Sequence, residues 1–271
     1  MPNPRLYKTE AIIVRQRKLG EADRILTLYT PALGKLDAKA KGVRKTTSRM
    51  SGHLQPLTRC LLQMARGHAS DVITGCETLE SFQPLREDLD RLSRALYAAE
   101  LVDRMTAERV HSFPTYRLLL DTLRRLQQSA NPDLVLRFLE MRLMDQAGFG
   151  PRLDACVGCS RPLEPEQHFF APQAGGAVCR ACVPGLAGPR VLTLNGLKVL
   201  RLLQRGSYND VARVNVPPDL AQEVEHHLRS YIVCVLERDV NAAAFIERLR
   251  REERNTEPGT GNKEGQGAPC S

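Results

Sequence analysis

The spacing of apolar and polar residues divides the chain into a region with a two-residue period and a region with a helical period. The first region runs from residue 6 to about residue 82. Its apolar runs are short and are separated by glycine and proline, as is typical of β-strands joined by tight turns. The predicted strands are residues 9–19, 24–30, 35–43, 54–66 and 71–82. Five short strands in so small a region favour a closed barrel, and the OB-fold is the natural candidate.

The period becomes helical after Pro84. The apolar side of the first predicted helix consists of Leu89, Leu92, Leu96, Ala99 and Met105. A second helix begins at Pro114, and the third has clear signals at both ends. Asn131 is its expected N-cap, Pro132 occupies its first position and Gly148 stops it. These stripes are expected to form a helical core rather than a cofactor site.

Two Cys-x2-Cys pairs follow the helices. Cys156 and Cys159 form the first pair, and Cys179 and Cys182 form the second after nineteen intervening residues. This spacing matches a zinc ribbon, in which four thiolates fill the tetrahedral coordination of a structural Zn²⁺ and leave no position for water. Paired disulfides and a redox dithiol are the alternatives. With four ligands supplied, His168 in the intervening loop is expected to be a surface residue.

Two further histidines are expected to be surface or core residues, and three further cysteines are expected to be core residues. His226 and His227 are adjacent on a predicted helix and cannot both bind one metal ion from it. Cys60, Cys76 and Cys234 lie in apolar patterns and are expected to be buried like small hydrophobic residues.

These patterns predict a multidomain α+β protein with an N-terminal OB-fold β-barrel, a central and C-terminal helical bundle and an inserted four-cysteine zinc ribbon. Further helices are expected over 194–204 and 217–236. The predicted division is a nucleic-acid-binding barrel (1–82), a helical domain (83–150), the ribbon (151–190), helices that return to pack on the helical domain (191–253) and a disordered tail (254–271) that contains Cys270.

Composition and charge restrict the partners. The formal charge of +8 over 271 residues suits a polyanion, although an ordinary basic protein has the same balance. Aromatic residues make up 5% and tryptophan is absent, so stacking of bases on Tyr7, Tyr29 or Phe82 would be secondary to contacts with a charged backbone. No apolar run is long enough for a membrane span and the N-terminus lacks a signal-peptide core, so we expect a cytosolic protein.

A row of cations lies along the third predicted strand and continues into the loop after it. Lys35, Lys39 and Lys41 alternate with Leu36, Ala38 and Ala40, which predicts a basic outer face and an apolar inner face. Gly42 ends the strand, and Arg44, Lys45 and Arg49 continue the row in a loop rich in threonine and serine. Such a surface can bind phosphates. A solvated edge strand kept soluble by lysines is the alternative.

Motifs of catalysis are absent from the sequence. There is no Gly-x4-Gly-Lys-Ser/Thr loop, no His-Glu-x2-His and no Gly-x-Ser-x-Gly. We therefore expect a protein that is not an enzyme.

The N-terminal motifs resemble those of a known family. Residues 20–30, 33–35, 40–45 and 48–49, with Gly52-x-Leu54-x-Pro56 close behind, are similar to the N-terminal domain of bacterial RecO proteins, the recombination mediators of the RecF pathway. The order of barrel, helices, cysteine insert and final helices also resembles that family. The resemblance covers roughly residues 6–249.

The resemblance implies a DNA repair factor that binds single- and double-stranded DNA and anneals complementary strands. Its implied partners are RecR and single-stranded DNA-binding protein, and the implied outcome is the loading of RecA at gaps. The implied location is the cytoplasm, at the nucleoid. The implied phosphate contacts are Arg24, Lys35, Lys39, Lys41, Arg44, Lys45 and Arg49, and the implied structural zinc ligands are Cys156, Cys159, Cys179 and Cys182. An RNA-binding zinc-ribbon protein and a hydrolase with catalytic zinc are the competing hypotheses.

Overall fold

The N-terminal region is a five-stranded barrel in the computed structural model, which describes residues 5–68 and 70–236. The strands are β1 (Leu6–Leu19), β2 (Asp23–Thr30), β3 (Gly34–Ala40), β4 (Arg59–Ala65) and β5 (Asp71–Glu80). They close in the order β1-β2-β3-β5-β4, with β3 and β5 parallel and the other paired strands antiparallel. The predicted OB-like barrel is confirmed.

Alternation of side chains explains why these strands close around one core. On β3, Leu36, Ala38 and Ala40 are buried and the residues between them face outward. The fourth strand is shorter than predicted, because it begins at Arg59 rather than at residue 54. Residues 41–58 instead form a long loop, which we call the β3–β4 loop. It is tied down by Val43 and Leu54, whose side chains are buried in the barrel core.

The helical region begins directly after the barrel. Its helices are α1 (Gln83–Glu87), α2 (Leu89–Met105), α3 (Phe113–Gln128), α4 (Pro132–Gln146), α5 (Leu194–Arg205), α6 (Tyr208–Ala212) and α7 (Pro218–Leu236). The predicted start of α4 is confirmed, since the Asn131 side chain accepts a hydrogen bond from the Leu134 amide at 3.1 Å. Both α5 and α7 pack against α4.

The apolar side predicted for α2 is wrong in part. Leu89 and Leu96 are 57% and 38% exposed, whereas Ala95, Ala98 and Leu101 are fully buried. The helix packs closely against α3, α4 and β1. Small alanine side chains permit that approach, so the buried face of α2 contains Ala95 and Ala98 rather than Leu89 and Leu96.

The described part of α7 ends at Leu236. The predicted disordered tail, Cys270 and residues 237–253 of the C-terminal segment lie outside the described residues. The five-part division of the chain stays a prediction. No helix in the described ranges is long and apolar enough to cross a bilayer.

The outer wall of the barrel and the helices share one hydrophobic core. Ile12, Val14 and Tyr29 belong to the same buried cluster as the apolar residues of α2, α3 and α4. Gly34 adds a backbone contact, because a Cβ atom there would collide with the Val110 carbonyl. At the same junction, Asp103 of α2 forms ion pairs with Arg15 and Lys35.

The helical core contains a buried charged network. Arg137 and Glu140 lie one turn apart on α4, and the Arg137 Nη2 to Glu140 Oε1 distance is 2.6 Å. The Tyr97 hydroxyl donates to the same oxygen at 2.6 Å. The Oε2 atom of Glu225, on α7, lies 3.3 Å from Arg137 Nη1. Glu140 is fully buried. Burial raises the pKa of its carboxyl, while Arg137 and Tyr97 oppose that change.

Candidate nucleic-acid interface and metal centre

Five cations lie between residues 39 and 49, on the last part of β3 and in the β3–β4 loop that follows it. Lys39 is half-buried on the outer face of β3, and four residues of the β3–β4 loop are exposed. The exposed members are Lys41, Arg44, Lys45 and Arg49. Within the described residues, no carboxylate lies within ion-pair distance (4.0 Å) of these five side chains. We call this set the cationic loop surface.

The acidic residue that precedes these cations on β3 does not neutralise them. Asp37 is the only acid between Lys35 and Arg49. Its carboxylate is paired with Arg17 of β1 at 2.5 Å and accepts a hydrogen bond from the Thr27 hydroxyl at 2.7 Å. The charge of Asp37 is therefore opposed by Arg17, which leaves the loop cations available to an external anion.

Hydrogen bonds hold the start of the β3–β4 loop against the turn between β1 and β2. Gly42 has a φ of +63°, which glycine adopts readily and which turns the chain out of β3. Its amide donates to Asp23 Oδ1 at 2.7 Å. Arg44 donates from its amide to the Ala22 carbonyl at 2.9 Å and from its guanidinium to the Gly20 carbonyl at 3.1 Å.

Lys35 does not belong to the cationic loop surface, contrary to the sequence prediction of an exposed phosphate contact. Its side chain is only 12% exposed, and its ammonium lies 3.2 Å from the Asp103 carboxylate. It also donates to the Asp103 carbonyl. The helical region covers this end of β3, so Lys35 joins the barrel to α2.

Arg24 lies at the edge of the surface. It is half-buried, and it donates to Gln16 Oε1 at 2.9 Å. Lys18, which sequence reasoning overlooked, is exposed and stands directly opposite Arg24 in the β1–β2 pairing. The glycine at position 20 indicates a tight turn, and a tight turn fixes the register of the two strands that it joins. From that register the sequence could have predicted that Lys18 pairs with Arg24.

Two of the three aromatic residues considered for base stacking are unavailable. Tyr29 is fully buried and Phe82 is 3% exposed. Tyr7 is half-buried, and its hydroxyl donates to the Asp71 carboxylate at 2.6 Å. The arrangement favours contact with phosphates over stacking on bases.

The four paired cysteines converge on one point. A short sheet of β6 (His168–Ala171), β7 (Gly176–Val178) and β8 (Arg190–Leu192) lies between and beyond the two pairs. The four Sγ atoms all lie within 4.8 Å of one another, and those of Cys159 and Cys179 are 3.8 Å apart. A tetrahedral ion with sulfur ligands at about 2.3 Å separates them by about 3.8 Å. The four free thiols are therefore compatible with a metal site.

The surroundings of the cluster act differently on Cys159 and Cys182. Arg161 donates to Cys159 Sγ at 3.5 Å, and this hydrogen bond lowers the pKa of the Cys159 thiol to about 6. The neighbouring thiols of Cys179 and Cys156 raise the pKa of Cys182 to about 12. A bound cation would displace protons that such close thiols otherwise share.

The histidine of the ribbon is not a surface residue, contrary to prediction. His168 is 1% exposed on β6, and its Nε2 atom lies 2.8 Å from the Glu164 carbonyl. It is outside the group of possible ligands. His227 is also buried, against Phe170. Of the other cysteines, Cys60 is buried as expected, while Cys76 and Cys234 are only half-buried.

Comparison with known proteins gives consistent matches over most of the chain. Residues 3–82 match the family model described as recombination protein O N terminal, and residues 86–243 match the one described as recombination protein O C terminal. A DNA repair protein RecO from Dehalococcoides mccartyi is 38% identical over 250 residues, which cover 92% of this chain and 98% of that protein.

Two further relatives have the same description. The DNA repair protein RecO of Roseiflexus sp. is 39% identical over 256 residues, covering 94% of this chain and 89% of the relative. That of Symbiobacterium thermophilum is 34% identical over 248 residues, covering 90% and 98%. The similarity therefore extends through both the barrel and the helical region.

Proposed function

The chain belongs to the RecO family of DNA repair and recombination proteins, and from this premise we propose that it binds single- and double-stranded DNA through the cationic loop surface and anneals complementary strands. The observation that carries the proposal is the group of five cations on an OB-like barrel, none of them within ion-pair distance of a carboxylate in the described residues. The proposed contacts are Lys39, Lys41, Arg44, Lys45 and Arg49, with Arg24 and Lys18 at the edge.

Annealing of complementary strands requires no covalent bond to be formed or broken. Two DNA strands repel each other through their phosphates, and a cationic surface lowers that repulsion by displacing counterions. Phosphate contacts carry no sequence information, so any two complementary strands could be accepted. With Tyr29 and Phe82 buried, the bases would remain free to pair.

The proposed role extends to partners that the family suggests. RecR and single-stranded DNA-binding protein would bring this protein to gaps, where RecA is then loaded. The proposed place of action is the nucleoid in the cytoplasm. No particular contact surface for these partners is assigned.

The test of the proposal is binding to a single-stranded oligonucleotide over a range of salt concentrations. Five phosphate contacts predict a slope of log K against log[salt] of about −3.5, and hence about 100-fold weaker binding when salt rises from about 50 to about 200 mM. Dissociation constants near or below about 1 μM are expected at the lower salt. Annealing of complementary strands should follow the same salt dependence.

Competition separates DNA from RNA as the ligand. Unlabelled single-stranded DNA should displace the labelled oligonucleotide at least as well as a structured RNA of equal length. Preferential displacement by the RNA would favour the RNA-binding hypothesis, and binding that ignores salt would contradict a phosphate interface altogether.

We further propose that Cys156, Cys159, Cys179 and Cys182 hold one structural Zn²⁺. Bound zinc would stabilise the fold of the ribbon, and four thiolates leave no open position for catalysis. Purified protein should contain one Zn²⁺ per chain. Cys159→Ser should lower the affinity for zinc more than about 100-fold, because the substitution removes a ligand itself.

The metal prediction is measured by zinc content after equilibration with a chelating buffer, and by the absorption spectrum of the Co²⁺-substituted protein. Cys76→Ser is the matched control, since this thiol lies outside the cluster. Unchanged zinc content in Cys159→Ser would contradict the assignment. A Co²⁺ spectrum with a water ligand would revive the catalytic-zinc hypothesis.

A further inference from the structure

An acidic residue occupies an unexpected place beside the cationic loop surface. Asp23 is the first residue of β2, next to Arg24 and close to Gly42. A carboxylate there repels the phosphates that the surrounding cations attract. Considered as charge alone, Asp23 would weaken the proposed interface.

The hydrogen bond of Asp23 suggests a different role. Its Oδ1 atom accepts from the Gly42 amide at 2.7 Å, at the residue where the chain leaves β3. Lys41 precedes this point and Arg44 follows it by two residues. The bond therefore restrains the backbone between two of the proposed phosphate contacts.

Three hydrogen bonds join the β1–β2 turn to the β3–β4 loop, and they differ in how they can be tested. Two are donated by Arg44 to the carbonyls of Ala22 and Gly20. The third is accepted by Asp23 at the start of β2, which alone of the three acceptors uses its side chain. Asp23 can therefore be changed without removing a cation.

We infer that Asp23 is a positioning residue for DNA binding, which holds Lys41 and Arg44 in place through the Gly42 amide. The inference rests on the proposed function. Cations on a loose loop lose conformational freedom when they bind, and this loss weakens binding. By restraining the loop, Asp23 therefore strengthens binding more than its negative charge weakens it.

Three variants separate geometry from charge. Asp23→Ala removes both the acceptor and the charge, whereas Asp23→Asn removes the charge and keeps an Oδ1 acceptor. Glu21→Gln is the matched control, since Glu21 is exposed in the adjoining β1–β2 turn and the substitution changes the net charge equally. Each is measured with wild type for affinity to single-stranded DNA and its salt dependence, with thermal unfolding to verify the fold.

Asp23→Ala should bind DNA about tenfold more weakly than Glu21→Gln, which is the effect of losing one hydrogen bond. Asp23→Asn should bind as well as Glu21→Gln. If all three variants instead bind equally tightly, Asp23 acts only as a negative charge and the inference is wrong.

Hydrogen exchange gives a second readout that needs no DNA. The Gly42 amide should exchange about tenfold faster in Asp23→Ala than in wild type, and close to the wild-type rate in Asp23→Asn. Failure of the wild-type protein to bind DNA would overturn the proposed function. Unchanged Gly42 exchange in Asp23→Ala would overturn the positioning role by itself.

Discussion

Replacing Lys39, Lys41, Arg44 and Lys45 together by alanine is expected to weaken binding to single-stranded DNA about 100-fold at moderate salt. The reason is that none of these side chains is neutralised by an ion pair within the described residues. The slope of log K against log[salt] should become shallower by about 3, since each single-strand contact contributes about 0.7. Fluorescence anisotropy titrations at several salt concentrations measure both quantities.

The matched control removes four cations elsewhere. Lys8, Arg190, Lys198 and Arg213 are exposed and lie outside the β3–β4 loop. Their replacement by alanine changes the net charge equally and should leave the salt slope near its wild-type value. Equal losses in the two quadruple variants would mean that net charge, rather than the cationic loop surface, determines binding.

Arg137→Met is expected to lower the free energy of unfolding by about 3–5 kcal/mol, because it leaves Glu140 as an uncompensated charge in a buried site. Glu140→Leu should cost a similar amount by leaving Arg137 without its closest partner. The double variant should be more stable than the sum of the single effects predicts, since both charges are then removed. Urea denaturation followed by far-UV circular dichroism suits a chain without tryptophan.

Arg117→Met provides the control for a helical ion pair in solvent. Arg117 and Asp121 are one turn apart on α3, and the arginine side chain is 59% exposed. This substitution should change the unfolding free energy by less than about 1 kcal/mol. Similar losses for Arg117→Met and Arg137→Met would show that burial of the network contributes little.

Local patterns in the sequence were sufficient for much of the fold. Alternation identified the inner face of β3, and the Asn131-Pro132 pair located the start of α4. Each of these signals lies within a few residues of the feature that it predicts. The cysteine spacing indicated the four-cysteine cluster in the same way, since a short turn brings the two members of each pair together.

Features that depend on distant residues were missed or misplaced. Lys35 matches the alternation of β3, but its partner Asp103 is 68 residues away in the chain. His168 matches the polar composition of its loop, yet the small sheet of β6, β7 and β8 buries it. Arg137 and Glu140 have the residue types of a solvated helix face, and only the packing of α4 shows that they are interior.

The ion pairs of Asp103 have a consequence beyond the burial of Lys35. Because this carboxylate joins β1 and β3 to α2, and the barrel wall shares its core with the helices, the two regions should tumble as a unit. A DNA strand bound by the loop would then keep a constant distance and angle from the outer helical surfaces. Any protein docked on those helices would meet the strand in one defined orientation, without a hinge that must first close.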